Sequence, residues 1–125
     1  MKFTIAPADL IMLLKSAGII RPRNADTFTL SACAARVFVE FKGEVAGIEE
    51  LVLSDGAVKL PAKKFFALIE TYKGTRFLNI EAGSAGLKMQ NFSMTVLAWN
   101  PNPTPPSQFH IFPVKDMGVV SGSEG

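Results

Sequence analysis

Val58-Lys-Leu-Pro-Ala-Lys-Lys-Phe-Phe-Ala-Leu-Ile-Glu70 contains a change of period. Val58-Lys-Leu60 alternates as a strand does, whereas Phe65, Leu68, Ile69 and Tyr72 recur at i, i+3, i+4 and i+7, one face of a helix. Pro61 marks the switch, because a proline at the first helical position lacks only an N–H that would go unpaired there. A helix is expected over 61–73, stopped by Gly74. The anomaly is Lys63-Lys64 in its first turn. Free N–H groups and the macrodipole make that end positive, so a cation there is disfavoured by ~0.3–1 kcal/mol. Two lysines in that place ask for an external reason.

Upstream, the same switch recurs. Phe3-Thr-Ile5 reads as a short strand, and Pro7-Ala8-Asp9 opens a helix with Leu10, Leu13, Leu14 and Ala17 on its core side, ending near Gly18. The two Pro-Ala starts, Pro7 and Pro61, lie 54 residues apart. After the first helix and a polar connector, Thr27–Cys33 and Arg36–Phe41 form paired strands. Residues 43–55 are less regular, with Ile48, Leu51 and Leu53 expected inward and a turn at Ser54-Asp55-Gly56. After the second helix, Arg76–Ala82 and Leu87–Gln90 make a hairpin around Gly83–Gly86. A tight turn at Gln90-Asn91 then leads to Phe92–Leu97, with Phe92, Met94 and Val96 on one side.

Each half is therefore one strand, one helix and a small antiparallel meander. Neither half can bury its sheet alone, so the two should pack with pseudo-twofold symmetry. The fold class is α+β, with two side-by-side helices packed on antiparallel sheets. Asn100–Pro106 is an extended proline-rich loop before a last strand, Phe109–Phe112. Residues 1–114 are expected to form one domain and 115–125 a flexible C-terminal tail.

With 125 residues, the chain can build a single core. Its net charge of +2 makes any contact with a polyanion a matter of placement rather than bulk charge. One cysteine excludes an internal disulfide framework and suits a reducing compartment. No stretch reaches the ~20 apolar residues of a membrane helix, and the N-terminus lacks the apolar core of a signal peptide, so a cytoplasmic protein without membrane contact is expected.

Catalytic material is scarce. His110 could serve as a base, but it sits in an apolar strand beside the proline-rich loop. Cys33 lies in an apolar run, where a thiol usually acts as a small hydrophobe. Glu49 and Glu50 are adjacent on a strand and so point to opposite faces. No phosphate-cradling glycine motif or metal-spaced cluster occurs. No enzyme, cofactor or metal is expected.

The basic residues are more telling. Lys63 and Lys64 share the outer face of their helix with Ala67, Glu70 and Thr71. The first helix presents Ala8, Asp9, Met12, Lys15 and Ser16, and Arg21 and Arg23 follow its end. If the helices lie side by side, Lys15, Arg21, Arg23, Lys63 and Lys64 share one surface. A phosphate backbone passing over it would use both the cations and the free helix N–H groups.

These residues resemble a domain of the bacterial sliding clamp, the beta subunit of DNA polymerase III. Met1-Lys-Phe-Thr-Ile5 is similar to the start of that family, Arg21-Pro22 to its Arg-Pro after the first helix, Pro61-Ala-Lys-Lys-Phe-Phe66 to the motif opening its second helix, and Phe92-Ser-Met-Thr-Val96 to the strand that follows. The resemblance spans roughly residues 1 to 112. It implies a processivity factor that surrounds duplex DNA without reading sequence, with Arg21 and Lys63 lining the hole and Lys64 beside them. It also implies replication proteins such as the polymerase as partners, and self-association through edge strands. Three departures stand out. The family carries three such domains per chain, Lys42–Gly47 replaces its Thr-Asp-Leu-Glu stretch, and its peptide groove is built mainly from later domains. The alternative is a clamp-like protein–protein interaction module that does not encircle DNA.

Overall fold

Both expected switches from strand to helix are present in a computed structural model, which describes residues 1–111. Phe112, the close of the expected 1–114 domain and the expected 115–125 tail lie outside the described residues. The first half runs β1 (Lys2–Ile5), α1 (Pro7–Ser16), β2 (Thr27–Cys33), β3 (Arg36–Phe41), β4 (Glu44–Glu49) and β5 (Val52–Ser54). The second repeats it as β6 (Gly56–Pro61), α2 (Ala62–Glu70), β7 (Leu78–Gly83), β8 (Gly86–Met89), β9 (Phe92–Met94) and β10 (Ala98–Asn100), and β11 (His110–Ile111) follows.

The repeat is real, but its spacing is not that of the two prolines. Pro7 is inside α1, capped by Ala6, whereas Pro61 is itself the cap of α2 and the last residue of β6. Matching the caps Ala6 and Pro61 gives a period of 55 residues, and the buried positions obey it: Pro7 with Ala62, Leu10 with Phe65, Ile11 with Phe66, Leu14 with Ile69. What repeats is the apolar stripe. A proline fits either place: the first helical residue has no N–H partner to lose, and the cap takes φ −70° at Pro61, which the ring fixes anyway.

The two halves exchange strands. One sheet has the order β5-β1-β7-β8-β9 and the other β10-β6-β2-β3-β4-β11. Thus β1 leaves its own meander to pair with β7, and β6 pairs with β2, both antiparallel. The return strands β5 and β10 then pair with β1 and β6. Among the described residues, only β11 is parallel to its neighbour, β4. The helices touch each other, with α1 against β3 and β4, and α2 against β2 and β6. One continuous core joins both halves, including Phe3, Leu14, Leu30, Leu60, Phe65 and Ile80, all essentially inaccessible.

Several expectations are corrected. Leu51 and Leu53 point outward, 67% and 61% exposed, and Val52 between them packs on the core instead. The chain leaves one sheet at Glu49 and joins the other at Val52, and there Val52 rather than its leucine neighbours is the residue turned to the core. Asp55 is the single residue between β5 and β6, which replaces the expected turn. β7 begins at Leu78, which leaves Arg76 and Phe77 in the preceding loop. The expected strand Phe92–Leu97 ends at Met94, and β10 takes in Asn100, expected to open the proline-rich loop, with Trp99 packed above Gly56.

The helices end two residues or more before the glycines that were expected to stop them, and by different means. After α1, Ala17 is the cap and Gly18 takes φ +98°. Gly18 N–H bonds to Lys15 C=O and Ile19 N–H to Leu14 C=O, the paired bonds of a Schellman end, and Ile19 is buried. After α2 the chain unwinds through successive i→i+3 turns from Thr71 to Thr75, and Gly74 has no left-handed φ. Gly18→Ala should therefore cost about 1–2 kcal/mol, the penalty for a side chain in the left-handed region. Gly74→Ala should change stability by less than ~0.5 kcal/mol. Urea unfolding of the two variants measures the difference.

Candidate nucleic-acid interface

The outer faces of the two helices are as the periodicity dictates. Met12, Lys15 and Ser16 on α1 and Lys63, Lys64, Ala67 and Glu70 on α2 are exposed. Between the helices runs a shallow groove lined by Lys15, Ile20, Pro22, Lys63, Phe66, Ala67 and Glu70. Lys15 belongs to the last turn of α1, where its charge suits the dipole, and Lys63 to the first turn of α2, where it does not. Ile20 and Pro22 give the groove an apolar wall along which lysine stems can lie with their ammonium groups in water.

The fold brings Lys15 and Lys63 to one groove and sets Arg21 and Arg23, both exposed, on either side of its Pro22. Lys64 is on the exposed face of α2 but does not line the groove. The Schellman turn directs the chain from Ile19 into this loop, and Asp26 fastens it. The Asp26 carboxylate accepts from Arg23 N–H at 2.8 Å and faces Lys42 Nζ at 3.6 Å, while its carbonyl accepts Ala62 N–H, the first of α2, at 2.9 Å. One residue thus joins the loop after α1 to the start of α2. The Arg23 N–H holds the Asp26 carboxyl below the usual range, opposed by some burial and helped by Lys42.

Neither helix start has a capping side chain, and α2, unlike α1 with Asp9, has no acid in its first turn either. Among the described residues, Lys15, Arg21, Arg23, Lys63 and Lys64 take part in none of the salt bridges, which instead join Lys2 to Glu81, Arg36 to Glu49, Lys42 to Asp26 and Lys73 to Glu70. Charge is also unevenly spread. Residues 7–26 and 62–77 carry seven Lys and Arg against three Asp and Glu, while the other described residues carry five against six. Lys73 and Arg76, in the loop after α2, were missed as members of this basic side. The repeat could have found one of them, since Arg76 stands 55 residues after Arg21.

The catalytic candidates do not converge. Cys33 is buried and its thiol is pushed up by desolvation, then by Asp55. Glu49 is exposed and pairs with Arg36, while Glu50 is half-buried. His110 belongs to β11 by its backbone. Among the described residues no three His, Cys, Asp or Glu side chains come together as a metal site requires.

No family model matches the sequence, and no curated protein matches it either. Solved structures do. The beta subunit of the DNA polymerase of Streptococcus pyogenes aligns over 77% of this chain with a TM-score of 0.63 at 18% identity. DNA polymerase III subunit beta of Borrelia burgdorferi aligns over 78% with a TM-score of 0.68 at 12% identity. The Helicobacter pylori beta clamp bound to a DNA ligase peptide aligns over 78% with a TM-score of 0.64 at 16% identity. The fold is that of a sliding-clamp domain. The aligned parts are 30%, 31% and 30% of those chains, so this chain spans about a third of the length of the clamps it matches. At such identities the likeness is one of fold.

Asp26 gives the interface a pH signature. A carboxyl held low in the folded state contributes stability above the ordinary aspartate pKa of about 4 and loses it as pH falls through the lowered value. Below about pH 4, wild type should therefore lose stability more steeply than Asp26→Asn, and above about pH 5 the variant should be the weaker of the two. Urea midpoints measured from pH 2 to 7 test this.

Proposed function

We propose that this domain rests on duplex DNA through the seam between α1 and α2, as a sliding-clamp-type module that contacts phosphates without reading bases. The observation that carries this reading is the cluster of cations in no ion pair among the described residues, Lys15, Arg21, Arg23, Lys63 and Lys64, around a groove beside a helix start without a capping acid. Cations already held by carboxylates would have to break those pairs to meet a phosphate; these do not. Each phosphate neutralised releases counterions, which drives binding irrespective of sequence. Lys63-Lys64 then has its reason: the placement is unfavourable to the isolated helix and favourable to a polyanion lying across its N–H groups.

The clamp-like fold supports a role in holding a polymerase on its template in the cytoplasm. Since the chain spans a third of a clamp, encircling DNA requires several domains, and copies joined through sheet edges are one way to supply them. Replication proteins are the expected partners, by likeness to beta subunits and to the H. pylori clamp that holds a DNA ligase peptide.

Lys63→Gln with Lys64→Gln should leave folding unchanged or stabilise it by up to ~1 kcal/mol, because two cations leave a positive helix end. Adding Arg21→Gln should weaken binding to long duplexes of unrelated sequence by the same factor at low salt. The log–log dependence of affinity on salt should flatten by ~0.9 for each phosphate that the variant leaves without its cation. Fluorescence anisotropy against two unrelated duplexes over a salt series measures both. Equal binding by wild type and the triple variant would refute the reading.

A further inference from the structure

The sheet β5-β1-β7-β8-β9 has an outer face that takes no part in the helix seam. Phe3, Ile80, Leu87 and Met89 turn inward to the core, so the residues that alternate with them turn outward. Strand register sets these in two rows. Lys2, Glu81 and Lys88 stand opposite one another in the first, and Thr4, Asn79 and Gln90 form the second. With Leu53 of β5 they line an open cup of about 370 Å³, large enough for a small molecule.

Bonds made inside the second row decide what the cup offers. Thr4 Oγ1 donates to Asn79 Oδ1 at 2.9 Å, and the Asn79 backbone N–H donates to Gln90 Oε1 at 2.9 Å. Both side-chain amides have thus given their carbonyl oxygen to the protein and keep their NH2 groups for something else. In the first row Glu81 faces Lys2 Nζ at 3.5 Å, whereas Lys88 takes part in none of the salt bridges among the described residues. One carboxylate between two ammonium groups leaves a positive charge in excess. Gln90 also takes φ +55°, a left-handed backbone that costs a residue with a side chain about 1–2 kcal/mol. Glycine would relieve the turn but could not reach Asn79. Strain of this kind persists where the surroundings hold the residue in place, and such places cluster at ligand sites.

We propose that this cup binds a small oxyanion, a carboxylate or a phosphate, carried on a hydroxylated body such as a sugar acid or a sugar phosphate. The oxyanion meets Lys88 and the Gln90 amide, two residues apart at the end of β8, through charge-assisted hydrogen bonds. The body lies across β7 toward β1, where Glu81 accepts and Asn79 and Lys2 donate, the mixed set that hydroxyl groups need. Leu53, 61% exposed, closes the far side against C–H groups. The cup and the helix seam are separate surfaces, so this inference holds whether or not the seam meets DNA.

The test titrates the full, isotope-labelled chain with glucuronate and with glucose 6-phosphate, follows its backbone amides by NMR, and uses glucose and inorganic phosphate as controls. Shifts should gather at Asn79, Glu81, Lys88, Gln90 and Asn91 with at least one of the two sugar anions, and the tighter of them identifies the oxyanion. Glucose and inorganic phosphate should each bind more weakly, because each lacks one half of the ligand. Gln90→Glu keeps the acceptor for Asn79 and removes the donor, and Lys88→Gln removes the charge outside the ion pair. Each should weaken binding roughly tenfold or more, the loss expected for a hydrogen bond to a charged group. Urea midpoints show that both variants stay folded. Lys59→Gln, the same charge change on the other sheet, should bind as wild type does. The proposal is overturned by sugar anions that leave the cup amides unmoved, or by folded cup variants that bind like wild type. Lys59→Gln as weak as Lys88→Gln, or glucose or phosphate alone binding as tightly as the sugar anions, would overturn it as well.

Discussion

The pairing of β1 with β7, matched by β6 with β2, is the constraint from which the rest follows. Each half contributes its leading strand to the sheet of the other, so neither meander is complete until its partner strand arrives. The apolar faces of α1 and α2 then meet a surface built by both halves, and Leu14, Leu30, Phe65 and Ile80 become parts of one core. Two half-sheets of this size would each leave an apolar face in water. Joined, they bury it, and the helices are forced into contact as a consequence rather than by any strong attraction of their own.

That contact makes the basic seam. Nothing in α2 alone favours Lys63, and nothing in α1 alone gives Lys15 a cationic neighbour. The groove exists because the Schellman end at Gly18 turns the chain back beside α2 and because Asp26 fastens that loop to Ala62. A positive helix start next to lysines is mildly unfavourable at every step of folding. Lys2, Arg36, Lys42 and Lys73 pair with acids, whereas the seam cations, like Lys59, Arg76 and Lys88, take part in none of the salt bridges among the described residues.

Much of this was legible in the residues. The helical stripes, the hairpins and the duplication are local periodicities, and local periodicity survives in sequence. What was lost depended on which sheet a strand joins. Leu51 and Leu53 look inward because they are apolar, but the strand that joins the other sheet at Val52 turns Val52 to the core and leaves both leucines in water. β10 has three residues and forms because Gly56 makes room for Trp99, a distant fit with no local signal. The prolines misplaced the repeat by one residue because a conformation was read as an alignment. For the site, helical faces place Lys15, Lys63 and Lys64 on the exposed sides of their helices, with Lys15 and Lys63 in one groove, whereas Arg76 was absorbed into a strand that starts two residues later.

The strand exchange also bears on how the chain is made. β1 is synthesised before the rest of this fold, and its main partner β7 lies more than seventy positions further on. An emerging first half can form α1 and the β2–β4 hairpins, but the edge meant for β6 and the apolar underside of its sheet stay uncovered until the second half leaves the ribosome. Contacts this distant in sequence slow folding, and the interval exposes strand edges to other nascent chains. During translation this domain is therefore close to all-or-none: a chain stalled before Gly83 has most of its core residues and no finished sheet to put them in.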